Sequence, residues 1–216
     1  MTRPLYIVGT GGLAKEVALL AAEIAAAGQA RWSEILFLSD RIEEVGRKMP
    51  LGHVAGTDSL LDTLASPADV VVAVGTPVVR RRIADRIAAV PRVSMPNLVH
   101  PGAGLDPRWV TLGRGNLVTR GAVFTVDVTV GDNCVFNLNC TVGHDTRIGS
   151  HLVANPGCNI SGGATIGDAV LLGTGCQVLE GLSVASDVVV GAGAVVTRSI
   201  DAPGTWAGVP ARLLRR

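Results

Sequence analysis

Aromatic side chains are scarce in this 216-residue chain, where they make up 3% of all residues. Charge is scarce too, because charged residues make up 17% and nearly cancel to a formal net charge of +1. A chain without a basic surface or aromatic-rich patches lacks the usual footprint of a nucleic-acid-binding protein. We therefore expect no nucleic-acid partner.

Long hydrophobic runs are also missing. The longest apolar stretch, Val17 to Ala27, is interrupted by Glu23 and is too short to cross a bilayer, so no membrane partner is expected. The first residues lead directly into a strand-like segment without the pattern of a signal peptide, which predicts a cytoplasmic protein. The high mean hydropathy, +0.40, instead suggests a repeat interior and a buried oligomer surface.

What the chain does have is a period of six. From Leu112 to Val196 every sixth residue is apolar, with Ala154 the smallest of them. Such a period fits neither an amphipathic helix nor an alternating strand and is typical of a parallel β-helix. Three hexapeptides form one 18-residue coil, so residues 18 apart should stack at the strand spacing of about 4.8 Å.

The other positions of the hexapeptide agree with this interpretation. Three residues after each apolar position the chain mostly carries Gly, Asn or Asp, which tolerate the positive φ of a tight turn. The inward position before each corner holds all four cysteines: Cys134, Cys140, Cys158 and Cys176. They lack the CxxC spacing of zinc or redox sites, so we expect the four cysteines to act as small buried hydrophobic side chains.

The first hundred residues follow a different pattern. Strand-like segments at residues 5–8, 35–38 and 70–74 alternate with helix-like segments at 15–27 and 78–89, which predicts a parallel α/β sheet. We therefore predict a parallel α/β domain over residues 1–98 and a parallel β-helix with a C-terminal tail over residues 99–216. The tail from residue 201 onward is expected to cover the last coil, whose sheet edge would otherwise be exposed.

A glycine-rich turn follows the first strand and fits the pattern G-x-G-x-x-A. It is compatible with a dinucleotide site, with a purely structural turn, or with a nucleotide-sugar site, and the domain is small for a complete NAD site. We favour the nucleotide sugar because ligands bind at the carboxyl ends of parallel strands. The candidate substrate-binding residues are Gly9, Gly11, Gly12, Leu13, Ser39, Asp40, Gly75 and Thr76.

Several motifs together resemble a known family, the sugar O- and N-acetyltransferases related to sialic acid O-acetyltransferases. They are residues 7–15 (IVGTGGLAK), 72–75 (VAVG), 98–101 (LVHP), 142–145 (VGHD), 161–163 (SGG) and 208–211 (GVPA). The resemblance implies a small Rossmann-like N-terminal domain, a left-handed β-helix, a homotrimer, acetyl-CoA as the acetyl donor and a nucleotide-linked sugar as the acceptor.

The chain also departs from that family. Leu13 and Val153 stand where the family commonly has histidine, and Thr76-Pro77 follow the third strand where Asn or Asp is common. An unpaired sugar hydroxyl buried against an apolar side chain costs on the order of 1–3 kcal/mol. The departures therefore favour a deoxy sugar or another nucleotide conjugate.

Acetyl transfer needs a base for the acceptor proton and a donor for the thioester oxyanion. The resemblance assigns the base to His144, with Asp145 to orient it and the Gly162 N–H to bind the carbonyl. It assigns acetyl-CoA contacts to Val153, Gly162, Gly173, Thr174, Gly191 and Ala192. Of the other histidines, His53 is expected in a loop, His100 at the domain junction and His151 exposed on a turn.

Other functions remain open at this point. An amine acceptor is our first choice, and a sugar hydroxyl, as in sialic acid O-acetylation, is the alternative. A non-catalytic nucleotide-sugar-binding protein is also possible. Some hexapeptide proteins bind zinc through three histidines, but this β-helix offers only His144 and His151, so no metal is expected.

Overall fold

The structure is a computed structural model and describes residues 2–214. Its N-terminal part is a six-stranded sheet of β1 (Arg3–Val8), β2 (Trp32–Ser39), β3 (Lys48–Met49), β4 (Gly52–Thr57), β5 (Ala68–Val72) and β6 (Val93–Ser94). The strand order is β3-β4-β2-β1-β5-β6, and all pairs are parallel except β3–β4.

Two helices cover the two faces of this sheet. Helix α1 (Gly12–Ala26) packs on the face that carries Ile7 and Val71, and helix α2 (Pro77–Ala88) packs on the face that carries Val8 and Val70. The near-continuous apolar runs of the central strands follow from this burial on both sides. Short 3-10 segments lie at Ile42–Glu44 and Asp58–Thr63.

The C-terminal part is the parallel β-helix that the period predicts. Strands stack with partners 18 residues apart, as when Thr141 pairs with Asn159 and Asn159 with Gln177. The strands are β7 (Leu98–Val99), β8 (Val110–Leu112), β9 (Leu117–Val118), β10 (Val123–Phe124), β11 (Val128–Val130), β12 (Val135–Phe136), β13 (Thr141–Val142), β14 (Arg147–Ile148), β15 (Val153–Ala154), β16 (Asn159–Ile160), β17 (Thr165–Ile166), β18 (Leu171–Leu172), β19 (Gln177–Val178), β20 (Ser183–Val184), β21 (Val188–Val190), β22 (Val195–Val196), β23 (Gly204–Ala207) and β24 (Arg212–Leu213).

These strands form the three faces of a prism. We call them the β7 face (β7, β9, β12, β15, β18, β21, β23, β24), the β8 face (β8, β11, β14, β17, β20) and the β10 face (β10, β13, β16, β19, β22). The turn residues adopt positive φ as predicted, including His151 (63°) and Ala169 (52°), which are neither Gly, Asn nor Asp. All four cysteines are buried inside, and the Sγ atoms of Cys158 and Cys176 lie 3.8 Å apart.

The two parts share one apolar interface. Helix α1 packs on the outer side of the β7 face, where Leu117, Val135 and Val153 are buried in the same cluster as Val17. Charged contacts flank this interface, with Glu23 of α1 bound to Arg120 and His100, and Arg81 of α2 to Asp187. β-Helix pairing begins at Leu98, which pairs with Leu117, while the division of the chain at residue 98 stays a prediction.

The segment after Ile200 closes the end of the prism. β23 continues the parallel stack on β21, and β24 turns back antiparallel onto β23. Trp206 packs against the interior, and Ala211 N–H donates to the Val195 carbonyl over 2.7 Å. The last sheet edge is therefore paired by the tail, as expected.

Two expectations about histidines are wrong. His53 lies in β4 rather than in a loop, because residues 52–57 pair with β2 although they contain no apolar run. His151 is 8% exposed rather than free on its turn. Asp85, Arg80 and Arg81 of α2 lie close enough to influence its pKa, a proximity that only the tertiary fold creates.

Candidate active site

His144 and Asp145 form an exposed pair at the corner between the β10 and β8 faces. The imidazole Nδ1 lies 2.8 Å from Asp145 Oδ2, and the two side chains are 57% and 67% exposed. Asp145 has φ 58°, so the left-handed turn turns its carboxylate toward the preceding side chain. A carboxylate on Nδ1 makes this nitrogen the N–H donor, which leaves Nε2 as a proton acceptor.

Gly162 lies beneath the imidazole, one coil further on. A Cβ atom built on Gly162 would lie only 2.6 Å from His144 Nε2, so any larger residue would displace the ring. Within residues 2–214, no hydrogen bond engages the Gly162 N–H, whereas the next amide, Gly163 N–H, donates to the His144 carbonyl over 2.7 Å. The glycine therefore leaves room for the imidazole. It also presents a backbone N–H that the fold does not use.

Apart from Gly162, the residues assigned to acetyl-CoA by resemblance lie elsewhere on the prism. Gly173, Thr174, Gly191 and Ala192 sit at the corner between the β7 and β10 faces, where Thr174 and Ala192 are exposed. This corner is separated from His144 by the full width of the β10 face, on the order of 15 Å of extended chain. Within residues 2–214 of one chain, Gly162 lies beside the candidate base, but the other assigned donor contacts are not brought to it.

Val153 has a different position from the other assigned contacts. Its side chain is 2% exposed and packs in the cluster between α1 and the β7 face. It offers no exposed side-chain surface to acetyl-CoA in this chain. The predicted contact therefore has no side-chain support in the structure.

The candidate nucleotide site is a cavity of about 350 Å³ at the carboxyl ends of β1, β2 and β5. The cavity contains three of the assigned substrate residues and is bounded on the far side by α2; its lining includes Gly9, Ser39, Asp40, Val74, Ile83, Arg82 and Arg86. Gly11, Gly12, Leu13, Gly75 and Thr76 do not line it, although Gly11, Gly12, Gly75 and Thr76 are exposed nearby at the same end of the sheet.

A close backbone approach explains the first glycine of the turn. Gly9 has φ 120°, and a Cβ there would lie 2.8 Å from the Ala73 carbonyl oxygen. Only glycine adopts this conformation readily. Gly9 therefore lets the turn pass directly against the end of β5 beside the cavity.

Glu44 is a site residue that the sequence did not reveal. Its buried carboxylate accepts hydrogen bonds from Thr10 (2.7 Å) and Ser39 (2.8 Å) and pairs with Arg41 and Arg47. The hydrogen bonds from Thr10 and Ser39 are the main reason that the pKa of Glu44 lies below its usual value. Glu44 thus ties the glycine-rich turn to the end of β2, and the Ser39 hydroxyl is committed to this network.

Arg80 is a second residue that the sequence did not reveal. It is fully buried where α2 meets the β-helix, and its guanidinium donates to the carbonyls of Val72, Val74 and Asn133. Burial lowers the pKa of Arg80 to about 10. Neither Arg80 nor Glu44 belongs to a motif, and only the folded contacts reveal them.

Residues 2–214 hold neither a membrane-spanning helix nor a cluster of metal-binding side chains. No helix there is both long and apolar enough to span a bilayer. No group of three or more His, Cys, Asp or Glu side chains in this range is placed to hold a metal ion.

Comparison with known proteins places these features in a family. A family model for the PglD N-terminal domain matches residues 4–87. The acetyltransferase domain of PglB from Neisseria gonorrhoeae FA1090, solved with acetyl coenzyme A, is 36% identical with a TM-score of 0.90 and covers 99% of this chain and 100% of its own. No curated protein sequence matches the chain.

A second solved structure extends the comparison. A point mutant of perosamine N-acetyltransferase from Caulobacter crescentus, in complex with CoA and GDP-perosamine, is 28% identical with a TM-score of 0.87. The alignment covers 99% of this chain and 97% of that protein. WeeI from Acinetobacter baumannii AYE, 22% identical with a TM-score of 0.74, shares the fold.

The chain belongs to the hexapeptide-repeat acyltransferase family. Within that family it has the two-part architecture of the sugar acetyltransferases, a Rossmann-like N-terminal domain of the PglD type followed by a left-handed parallel β-helix.

Proposed function

We propose that this protein is an acetyl-CoA-dependent N-acetyltransferase that acts on a nucleotide-linked amino sugar, as a cytoplasmic homotrimer. The observation that carries the proposal is the exposed His144–Asp145 pair above Gly162, with a separate nucleotide-sized cavity in the N-terminal part. The relatives support the substrate classes, because one was solved with acetyl coenzyme A and another with GDP-perosamine.

In the proposed reaction His144 is the general base. Nε2 of the neutral imidazole accepts the proton that the acceptor nitrogen loses as it attacks the thioester carbonyl. Asp145 accepts the Nδ1–H bond and stabilises the imidazolium that forms, as a carboxylate does in a catalytic triad. No metal is needed for these steps.

The carbonyl oxygen becomes an oxyanion in the tetrahedral intermediate, and the free Gly162 N–H is the proposed donor to it. When the intermediate collapses, the C–S bond breaks and CoA leaves as a thiolate. The imidazolium then returns its proton to the sulfur, so the products are the N-acetylated sugar and CoA.

The site requires a second copy of the chain. Because His144 and the Thr174–Ala192 corner lie on opposite edges of the β10 face, we place acetyl-CoA between the Thr174–Ala192 corner of one protomer and His144 of its neighbour. Exposed apolar side chains occur along this face and its corners, as expected for an oligomer surface; they are Val123, Val126, Leu138 and Leu179.

The test is a CoA-release assay with acetyl-CoA against UDP-, GDP- and dTDP-linked amino sugars, with mass spectrometry of the product. We expect turnover with a nucleotide-linked amine and a product heavier by one acetyl group. Activity only with free sialic acid or another sugar hydroxyl would replace N- by O-acetylation. Binding of a nucleotide sugar without any acetyl transfer would leave a non-catalytic binding protein.

A further inference from the structure

A second cavity, of about 290 Å³, opens beside the candidate base. It lies on the β8 face next to Asp145, and neither the fold nor the proposed chemistry accounts for it. Its lining combines two cations, two carboxylates, an indole and hydroxyls; the residues are Arg108, Trp109, Thr111, Asp127, Thr129, Asp145 and Arg147.

The two arginines of this cavity differ in their pairing. Arg108 is held by Asp106 through its Nε and Nη2 atoms at 2.5–3.0 Å, and this hydrogen bonding lowers the pKa of Asp106 to about 2. Arg147 has no salt bridge and donates no side-chain hydrogen bond in the part of the chain that the structure describes. Arg147 is therefore the cation of this cavity that is free to bind an anion.

Arg147 lies near His144, where the acceptor must bind. It begins β14, three residues after His144, and it is exposed on the same side as Asp145. In a nucleotide-linked sugar a diphosphate with two negative charges is attached to the sugar whose nitrogen must reach His144. One sugar ring and one arginine side chain each span only about 5–7 Å, which follows from ordinary bond lengths.

We propose that this cavity is a phosphate subsite, in which Arg147 and the Thr129 hydroxyl bind a diphosphate while the sugar amine reaches His144 and the nucleoside lies in the N-terminal cavity of a neighbouring protomer. The inference rests on the proposed function. Thr129 pairs with Arg147 on the adjacent strand of the β8 face, so the two side chains are direct neighbours. The half-exposed Trp109 indole forms a wall suited to an apolar sugar face.

The two carboxylates restrict where the anion can lie. Asp127 and Asp145 line the same cavity and repel a phosphate, so the anion must lie on the side of Arg147 and Thr129. Two molecules of the reaction carry a diphosphate, the nucleotide-linked acceptor and CoA. The experiment must therefore separate these two sources.

The test compares wild type with Arg147→Gln in steady-state kinetics, varying the two substrates separately. Loss of a charge-assisted contact should raise the KM of the substrate that supplies the phosphate by roughly 10- to 100-fold. An increase confined to the nucleotide-linked sugar identifies the acceptor diphosphate, and one confined to acetyl-CoA identifies the donor. The control is Arg114→Gln, which removes an exposed arginine paired with Asp132 outside the cavity.

A free amino sugar without a nucleotide serves as the second substrate. Its turnover should be equal in wild type and Arg147→Gln if the donor diphosphate is not bound there, whereas a merely structural defect would lower both activities. If the KM values of Arg147→Gln for the nucleotide-linked sugar and for acetyl-CoA both lay within about twofold of wild type, the subsite would be overturned. If wild type acetylates no sugar, calorimetric titration of CoA, UDP, GDP and dTDP into both proteins still tests it, and unchanged affinities would refute it.

Discussion

At the scale of single residues, His144 has the properties that base catalysis requires. Its Nε2 has no hydrogen-bond partner among the described residues, its Nδ1 is held by Asp145, and the residue below it is a glycine. His100 differs although it is also near a carboxylate. Gly102 N–H donates to its Nδ1 over 2.8 Å and Nε2 faces Glu23 at 3.2 Å, so Nδ1 is occupied by a local turn and Nε2 by the contact with helix α1.

The first prediction concerns this pair. His144→Ala should lower turnover by roughly 10²–10⁴-fold, because general base catalysis contributes about that much. Asp145→Asn should cost less, since it retains a residue suited to the turn and a side chain near Nδ1. Steady-state kinetics at saturating substrates measures both effects, and calorimetry should show CoA binding close to wild type.

The control for this prediction is His53→Ala, which removes an exposed histidine on β4, remote from the pair. We expect its turnover to stay within about twofold of wild type, as for most surface substitutions. If His144→Ala kept wild-type turnover, His144 would not be the base, and the acceptor proton would have to leave through another group or through the substrate.

The second prediction concerns the glycine beneath the ring. Gly162→Ala places a methyl group 2.6 Å from the present Nε2 position, so the imidazole must move while the turn itself keeps an allowed conformation. Misplacement of a reacting group by about 1 Å costs on the order of 10²-fold in rate. We expect a loss of turnover of that size with little change in melting temperature.

Gly104→Ala provides a matched comparison in the first coil, where the atoms nearest to the added methyl would be those of Val123, at 3.3–3.6 Å. It should retain turnover. A Gly162→Ala variant as active as Gly104→Ala would mean that the position of the imidazole is not critical for the reaction.

At the scale of elements, the period of six predicts nearly the whole β-helix. Each turn residue, each inward cysteine and the pairing by 18 follow from local sequence, because every coil repeats the same contacts. The N-terminal sheet is less predictable. Strand β4 and the carboxylate of Glu44 depend on contacts with residues distant in sequence, and no periodic pattern marks them.

His151 shows that the position of a residue in the repeat does not predict whether its side chain is exposed. The repeat places it correctly on a turn with positive φ, but the fold buries its side chain, close to charged groups of helix α2. Burial is the main cause that lowers the pKa of His151, with Asp85 and Asp168 opposing and Arg80 and Arg81 adding to it. Its Nδ1 has no hydrogen-bond partner among the described residues.

The third prediction follows from this pKa. Because the folded state holds the proton less tightly than the unfolded state, the unfolded state binds more protons below the ordinary value near 6.5. Stability should therefore fall as pH decreases through and below 6.5. His151→Asn, which suits the left-handed turn, should lose less stability between pH 7 and pH 5 than wild type does.

Urea unfolding at both pH values measures this difference. Only the change with pH is compared, since the substitution also alters packing and shifts stability at pH 7 by its own amount. Equal losses of unfolding free energy in wild type and His151→Asn would show that His151 does not contribute to the acid sensitivity of the α2 contact.

At the scale of the whole molecule, the candidate site is divided between two corners of the prism. One corner carries His144 and the other carries Thr174 and Ala192, with the β10 face between them. The positions of these residues in the hexapeptide repeat predict this division, but they do not predict which surfaces of two chains meet. A monomer by light scattering under folding conditions would contradict the intersubunit site, because one chain does not bring the two corners together.

The last prediction uses mixed oligomers. His144→Ala removes the base, and Ala192→Trp fills the exposed corner assigned to acetyl-CoA, so each variant alone should be nearly inactive. If each site combines His144 of one protomer with the Ala192 corner of its neighbour, refolding the two variants together at equal amounts restores sites that are intact at both positions. Random assembly gives about a quarter of the wild-type activity, because each of the two positions is intact with a probability of about one half.

The control is an assay of the two variants after mixing without refolding. If each site were built within one chain, every site in the mixed oligomers would carry one defect, and no activity would return.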